Sequence, residues 1–159
     1  MAEAISLKTL DVDWTDLEIA FRDAVSGVQS YLDLGTGEVL VVIDQHDLDA
    51  DEVASCPDRF LAIPAFSTSE GIEVLREFIV QLPAGELRGR LEQGCRGAGG
   101  LKRCFEILAE EGWLLDRFTQ FEEQAIYERL HWWLTAHGIR PQRPPPRSPR
   151  LALVADGVN

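Results

Sequence analysis

Gln29-Ser30-Tyr31-Leu32-Asp33-Leu34-Gly35-Thr36-Gly37-Glu38-Val39-Leu40-Val41-Val42-Ile43 is the stretch on which the fold turns. Two β-favouring runs flank a Gly-x-Gly pair, and glycine readily supplies the positive φ that a tight hairpin loop needs. Residues 29–33 and 38–43 are therefore read as paired antiparallel strands. The return strand is apolar on both alternating faces, the pattern of a strand covered on both sides, which places it centrally. A third strand reads Arg59-Phe60-Leu61-Ala62-Ile63, and Pro64 stops it as at a sheet edge.

Upstream of the hairpin, Thr15 and Glu18 have capping-box spacing, and Leu17, Ala20, Phe21 and Ala24 follow at helical intervals up to Gly27. Downstream the pattern is helical. Ser67 and Glu70 repeat the capping-box spacing, and Ile72, Leu75, Phe78, Ile79 and Leu82 form a stripe that ends at Pro83. A weaker helix carries Leu87 and Leu91, another Leu101, Cys104, Phe105 and Leu108. The last and longest carries Leu114, Phe118, Phe121, Ala125, Leu130, Trp133 and Leu134, with Gly138 as its terminator. The expected fold is α+β: a small three-stranded antiparallel meander packed against four to five helices, in a single domain over residues 1–139. Residues 140–159 open with Pro-Gln-Arg-Pro-Pro-Pro after Arg140 and read as a disordered Pro/Arg-rich tail.

At 159 residues and 45% apolar content the chain has the size and composition of one globular domain. The longest strongly apolar run, residues 39–43, is far too short to span a bilayer, and Glu3 stands where a signal peptide would carry Lys or Arg. Cys56, Cys95 and Cys104 are an odd count without paired spacing, which suits reduced thiols better than a disulfide framework. The chain is read as cytoplasmic, with no membrane contact.

The net charge of −12 is unevenly spread. Residues 88–103 carry five cations against Glu92, a net of +4, and residues 140–159 carry four arginines against Asp156, a net of +3. The remaining residues sum to −19. So acidic a body repels phosphate backbones and anionic membranes at long range, and directs any anion to the basic stretch or the tail.

Tyr31-Leu32-Asp33 with Thr36-Gly37-Glu38-Val39 resembles the hairpin motif of a bacterial family, uncharacterised protein family 0158. Ile63-Pro64 followed by Ser67, Ser69, Glu70 and Gly71 is similar to that family's strand-to-helix junction. Residues 97–108 resemble its Gly-x-Gly-Ala-Phe-Arg-Arg-Phe segment, with Gly97 and Gly99 as the glycines and Lys102-Arg103 as the basic pair. The chain departs from that pattern at Gly100, Leu101, Cys104 and Phe105. The helix ending Trp133-Leu134, then His137-Gly138-Ile139, resembles the family's C-terminal helix. The resemblance spans roughly residues 13–139 and implies a shared bacterial fold with no assigned activity.

Arg96, Gly97, Gly99, Gly100, Lys102 and Arg103 make the anion-binding candidate, because glycines before a helix leave backbone N–H groups for a phosphate. It is no Walker A loop: Gly94 and Gly99 have the spacing, but Gly100 and Leu101 replace the Lys and Ser/Thr. The plainer reading is an interhelical turn with solvated basic residues. The 15-residue acidic connector, residues 44–58, holds Asp47, Asp49 and Asp51 in calcium-loop alternation, yet Glu52 occupies the turn-glycine position, so they are a weak cation candidate only. Trp132 and Trp133 lie about 100° apart on one helix, so both cannot centre on one buried face, and either is a candidate partner contact. No nucleophile, acid–base pair or cofactor motif stands at recognisable spacing. The reading is a non-enzymatic interaction or regulatory module with an unidentified protein partner. The alternative is a phosphate- or nucleic-acid-binding module using residues 94–103.

Overall fold

The computed structural model of the chain describes residues 7–22, 27–43 and 48–146. They form two compact units, one built from residues up to Phe66 together with Ile126–Pro146, the other on Ser67–Ala125.

In the first unit, β1 (Lys8–Leu10) precedes α1 (Trp14–Arg22). The helix begins two residues earlier than the Thr15–Glu18 spacing suggests. Asp13 is the capping residue, its carboxylate accepting the Asp16 N–H at 3.1 Å and its carbonyl the Leu17 N–H at 3.0 Å. Glu18 instead accepts from Arg22 and from the Tyr127 hydroxyl. The hairpin forms as read, with β2 (Gln29–Asp33) paired to β3 (Val39–Val42). Only Gly37 of the two loop glycines has positive φ, +84°.

The third strand is β4 (Phe60–Ala62), and it pairs with β2 rather than β3. The sheet order is therefore β3-β2-β4, so the first strand of the hairpin is central and the doubly apolar return strand lies at an edge. None of the four β3 residues is fully buried. Val39 packs on the main core, while Val42 faces the opposite side beside α2 (Leu48–Ser55). Partial cover on both faces gives the same sequence pattern as a fully covered strand. The α+β class and the three-stranded antiparallel sheet stand as expected; the strand order does not.

The 44–58 connector is not a loop throughout, since α2 occupies residues 48–55. Its first turn carries Asp49 and Asp51, where a helix N-terminus favours acids. At the other end, β5 (Ile139–Pro141) pairs in parallel with β1, Lys8 opposite Ile139 and Leu10 opposite Pro141. Gln142 N–H donates to the Leu10 carbonyl at 2.9 Å, and the Trp14 indole N–H donates to the Arg143 carbonyl at 2.8 Å. Ordered backbone pairing thus continues past residue 139, where the tail was expected to start. Residues 147–159 of that tail lie outside the described residues. Trp14, Leu17, Leu32, Ile126, Leu130 and Leu134 form the centre of this unit's core.

The second unit is helical: α3 (Thr68–Gln81), α4 (Glu86–Gly94), α5 (Gly100–Glu110) and the first half of α6 (Gly112–Ala136). The Ser67 capping box forms in full, with the Ser67 hydroxyl accepting the Glu70 N–H at 3.1 Å. Val74, Leu75, Phe78, Leu91, Leu108, Leu114 and Phe118 are among its buried apolar residues, with Phe78 and Phe118 edge to face at 5.3 Å. Against the expectation of reduced thiols, Cys95 and Cys104 are disulfide-bonded, and Cys56 is free and exposed. The turn between α4 and α5 reverses the chain sharply, which brings two cysteines nine residues apart to a Cα–Cα distance of 5.9 Å, within disulfide range.

Candidate functional site

The basic glycine turn lies between α4 and α5, and its internal bonding is the reverse of an anion cradle. Arg103 folds back from the first turn of α5 into the bend. Its Nε donates to the Gly94 carbonyl at 3.2 Å, Nη1 to Ala98 at 2.9 Å, and Nη2 to Arg96. Alternate carbonyls thus converge on one cation, whereas a phosphate nest needs converging N–H groups. Gly97 (φ +76°) and Gly99 (φ +74°) supply the left-handed backbone that makes this possible. Gly100 is needed for a different reason, because a Cβ there would stand 2.5 Å from the Cys95 carbonyl oxygen. Its N–H is bonded to the Gly97 carbonyl at 3.3 Å.

Of the six residues in the anion candidate, Arg103 is therefore engaged as a staple. Arg96 and Lys102 remain as exposed cations, beside a helix start whose cap, Gly99, offers no side-chain hydrogen bond. Among the other cations of the stretch, Arg88 pairs with Glu92 at 2.8 Å and Arg90 with Glu110 at 2.9 Å. Since Glu92 is already counted in the net of +4, of these two pairs only Arg90–Glu110 offsets that charge further.

The acidic candidate does not assemble as a loop. Asp49 and Asp51 sit two positions apart on α2, about 200° around the axis, so their carboxylates diverge. Asp47 lies outside the described residues. Among the described residues, no group of three His, Cys, Asp or Glu is gathered as a metal would require, and no helix is long and apolar enough to cross a membrane.

The adjacent tryptophans separate as helix geometry demands. Trp133 is 9% exposed and belongs to the core of the first unit, whereas Trp132 is 73% exposed. The neighbours of Trp132 one turn away, Glu128, Thr135 and Ala136, are exposed as well, so it stands on the solvent face of α6.

Three features were not singled out in the sequence. Asp33, 8% exposed, is the hub of the hairpin. Its Oδ1 accepts from Gly35 N–H at 2.8 Å and Arg59 Nε at 2.9 Å, and its Oδ2 accepts from Arg59 Nη2 at 2.9 Å. Chiefly through the Arg59 hydrogen bonds, and against the effect of burial, its carboxyl is held down to about 2. Nothing in the local spacing pairs Asp33 with a residue 26 positions away. A groove of about 530 Å³ in the first unit runs between α2 and the sheet, lined by Tyr31, Val42 and Val53 with Gln29. A second groove, of about 370 Å³ in the second unit, has Phe78, Leu82 and Phe121 as an apolar floor and Arg117, Gln120 and Gln124 at its rim. The signal for the second was available: Arg117, Gln120 and Gln124 recur at helical spacing beside Phe121.

Taken together, the fold and these sites define a small α+β protein with a staple-bonded basic turn and an outward tryptophan. The chain belongs to the family described as Uncharacterised protein family (UPF0158), whose model matches residues 8–143. It is similar to UPF0158 protein PA5073 of Pseudomonas aeruginosa, at 25% identity over 151 residues, covering 89% of this chain and 96% of that protein. No solved structure matches.

Proposed function

We propose that this protein is a non-enzymatic, cytoplasmic interaction module that engages a protein partner through the outward face of α6. The observation that carries the reading is Trp132. A tryptophan is among the costliest side chains to leave in water, and it recurs as an anchor at protein interfaces. Trp132 adds nothing to the buried core, while Trp133 beside it does. The test is affinity capture from the native organism with wild-type, Trp132→Ala and Trp113→Ala chains as bait. Trp113, 56% exposed in the second unit, serves as the control. A partner retained by wild type and by Trp113→Ala, and lost with Trp132→Ala, is the expected result. Equal capture by all three baits would overturn the reading.

A second reading is favoured by the exposed Arg96 and Lys102 next to the uncapped start of α5, where a phosphate-bearing ligand or nucleic acid would find cations and helix N–H groups. A gel shift that weakens with salt, and with Arg96→Glu and Lys102→Glu, supports it. No salt-sensitive shift with any nucleic acid, and no phosphate-ligand melting shift, removes it.

A further inference from the structure

Cys95 and Cys104 close a short ring around the basic turn, and the two sulfurs are differently placed. Cys104, on α5, is completely buried, and Cys95, just after α4, is half-buried. Residues 96–99 between them are all exposed and include two glycines of positive φ. We propose that Cys95–Cys104 is a thiol–disulfide exchange site, with Cys95 the sulfur attacked and Cys104 the sulfur expelled, and that its redox state sets how firmly residues 96–103 are held. The co-reactant is a dithiol reductant for opening and the corresponding disulfide for closing.

The placement favours this direction of attack. An incoming thiolate needs access to a sulfur along the S–S axis, and only Cys95 has an exposed side. The expelled Cys104 sulfur lies 3.4 Å from the Leu91 carbonyl oxygen, which accepts its S–H once the sulfur is protonated. The buried position thus holds a thiol without leaving it unpartnered.

In the first step a thiolate of the dithiol attacks Cys95 Sγ. The Cys95–Cys104 bond breaks, its electron pair goes to Cys104 Sγ, and Cys104 takes a proton from water. In the second step the dithiol's other thiolate attacks its own sulfur in the mixed disulfide and expels Cys95 as a thiolate, which is then protonated. Two electrons enter the protein, and the dithiol leaves as its disulfide.

Once the bond is open, the Arg103 staple still ties the turn, but glycine-rich backbone gains the most freedom on release. The test uses the full chain equilibrated in mixtures of reduced and oxidised dithiothreitol, quenched by alkylation and mapped by peptide mass spectrometry. Cys95 and Cys104 are expected to titrate together as one two-electron couple. Trypsin cleavage after Arg96 is expected to rise roughly 10–100-fold on reduction, the range that loop-closure entropy gives for so short a ring. Cys95→Ser, which leaves the buried Cys104 in place, should be cleaved at the reduced rate under either condition. Two cysteines that stay alkylatable in the most oxidising mixture overturn the proposal. So does a cleavage rate at Arg96 that is the same in both states of the wild-type chain.

Discussion

Asp33 shows how much of this fold rests on single side chains. Its carboxylate joins the hairpin turn, through Gly35 N–H, to the start of β4, through Arg59. A carboxyl of ordinary value 3.8 held at about 2 in the folded chain favours the folded state above pH 3.8. That contribution fades as pH falls from 3.8 through about 2, because protonation then costs the native state more than the unfolded one. With the Arg59 side chain 44% exposed and the pair partly screened, the effect is on the order of 1–2 kcal/mol. Asp33→Asn is expected to remove the part of the acid-induced loss of stability that falls in this window, as followed by urea denaturation at stepped pH. An unchanged pH profile in Asp33→Asn would show that the ion pair is not the origin.

Gly37 is the other decisive residue of the hairpin. It combines φ +84° with a backbone so close to the Asp11 carbonyl that an added Cβ has no space. Gly37→Ala is expected to destabilise by about 1–3 kcal/mol, from the strained φ alone, and by more once the Asp11 overlap is relieved by movement. Gly35→Ala should cost less, since its φ is ordinary and its nearest neighbours, Asp33 Oδ1 and Arg59 Nε, are 3.2 and 3.3 Å from an added Cβ. Thermal melts of the two variants should rank them in that order.

At the scale of elements, the helices whose ends are marked by side chains were legible in advance. Ser67 and Glu70 set the start of α3 by their own chemistry, and Pro83 follows its end. Ser67→Ala should cost about 1 kcal/mol in denaturant unfolding, the usual value of a lost N-cap. Helix α2 was harder to see, because acids take four of the eleven positions from Asp47 to Pro57 and no apolar stripe stands out. Its acids suit the first turn, however, and that local rule identifies the helix once length alone is set aside. The staple in the basic turn leaves no local mark, since a basic residue beside glycines has the same sequence pattern whether it faces solvent or its own backbone. Arg103 looked like a ligand-facing cation and turned out to bind Gly94, Arg96 and Ala98. Arg103→Lys keeps the charge and loses the planar fork that reaches three carbonyls. Faster hydrogen exchange across residues 95–100, with exchange in α3 unchanged, is the expected outcome.

At the scale of the whole molecule, the two ends of the described chain are tied together. β1 and β5 pair across some 130 residues, and Trp14 holds the Arg143 carbonyl from inside the first unit's core. A chain ending at Gly138 loses β5, the Trp14 acceptor and the Arg143–Asp11 ion pair together, whereas one ending at Pro146 retains them. The shorter chain is expected to melt several degrees lower than the longer one, about 2–4 °C for each kcal/mol lost in a chain of this size. Equal melting temperatures would mean that the strand pair contributes little.

The sequence by itself determined the hairpin of β2 and β3, the capping of α3, the helical second half and the separation of Trp132 from Trp133. Each follows from interactions within a few residues, where dihedral preference and side-chain spacing act directly. Tertiary structure alone decided that β2 lies at the centre of the sheet, that β1 finds β5, that Asp33 finds Arg59, and that Cys95 and Cys104 meet. Those choices depend on which distant segments share a core. Three-residue strands and a disulfide across a turn leave no periodic signal, since their stability comes from partners the local chain does not contain.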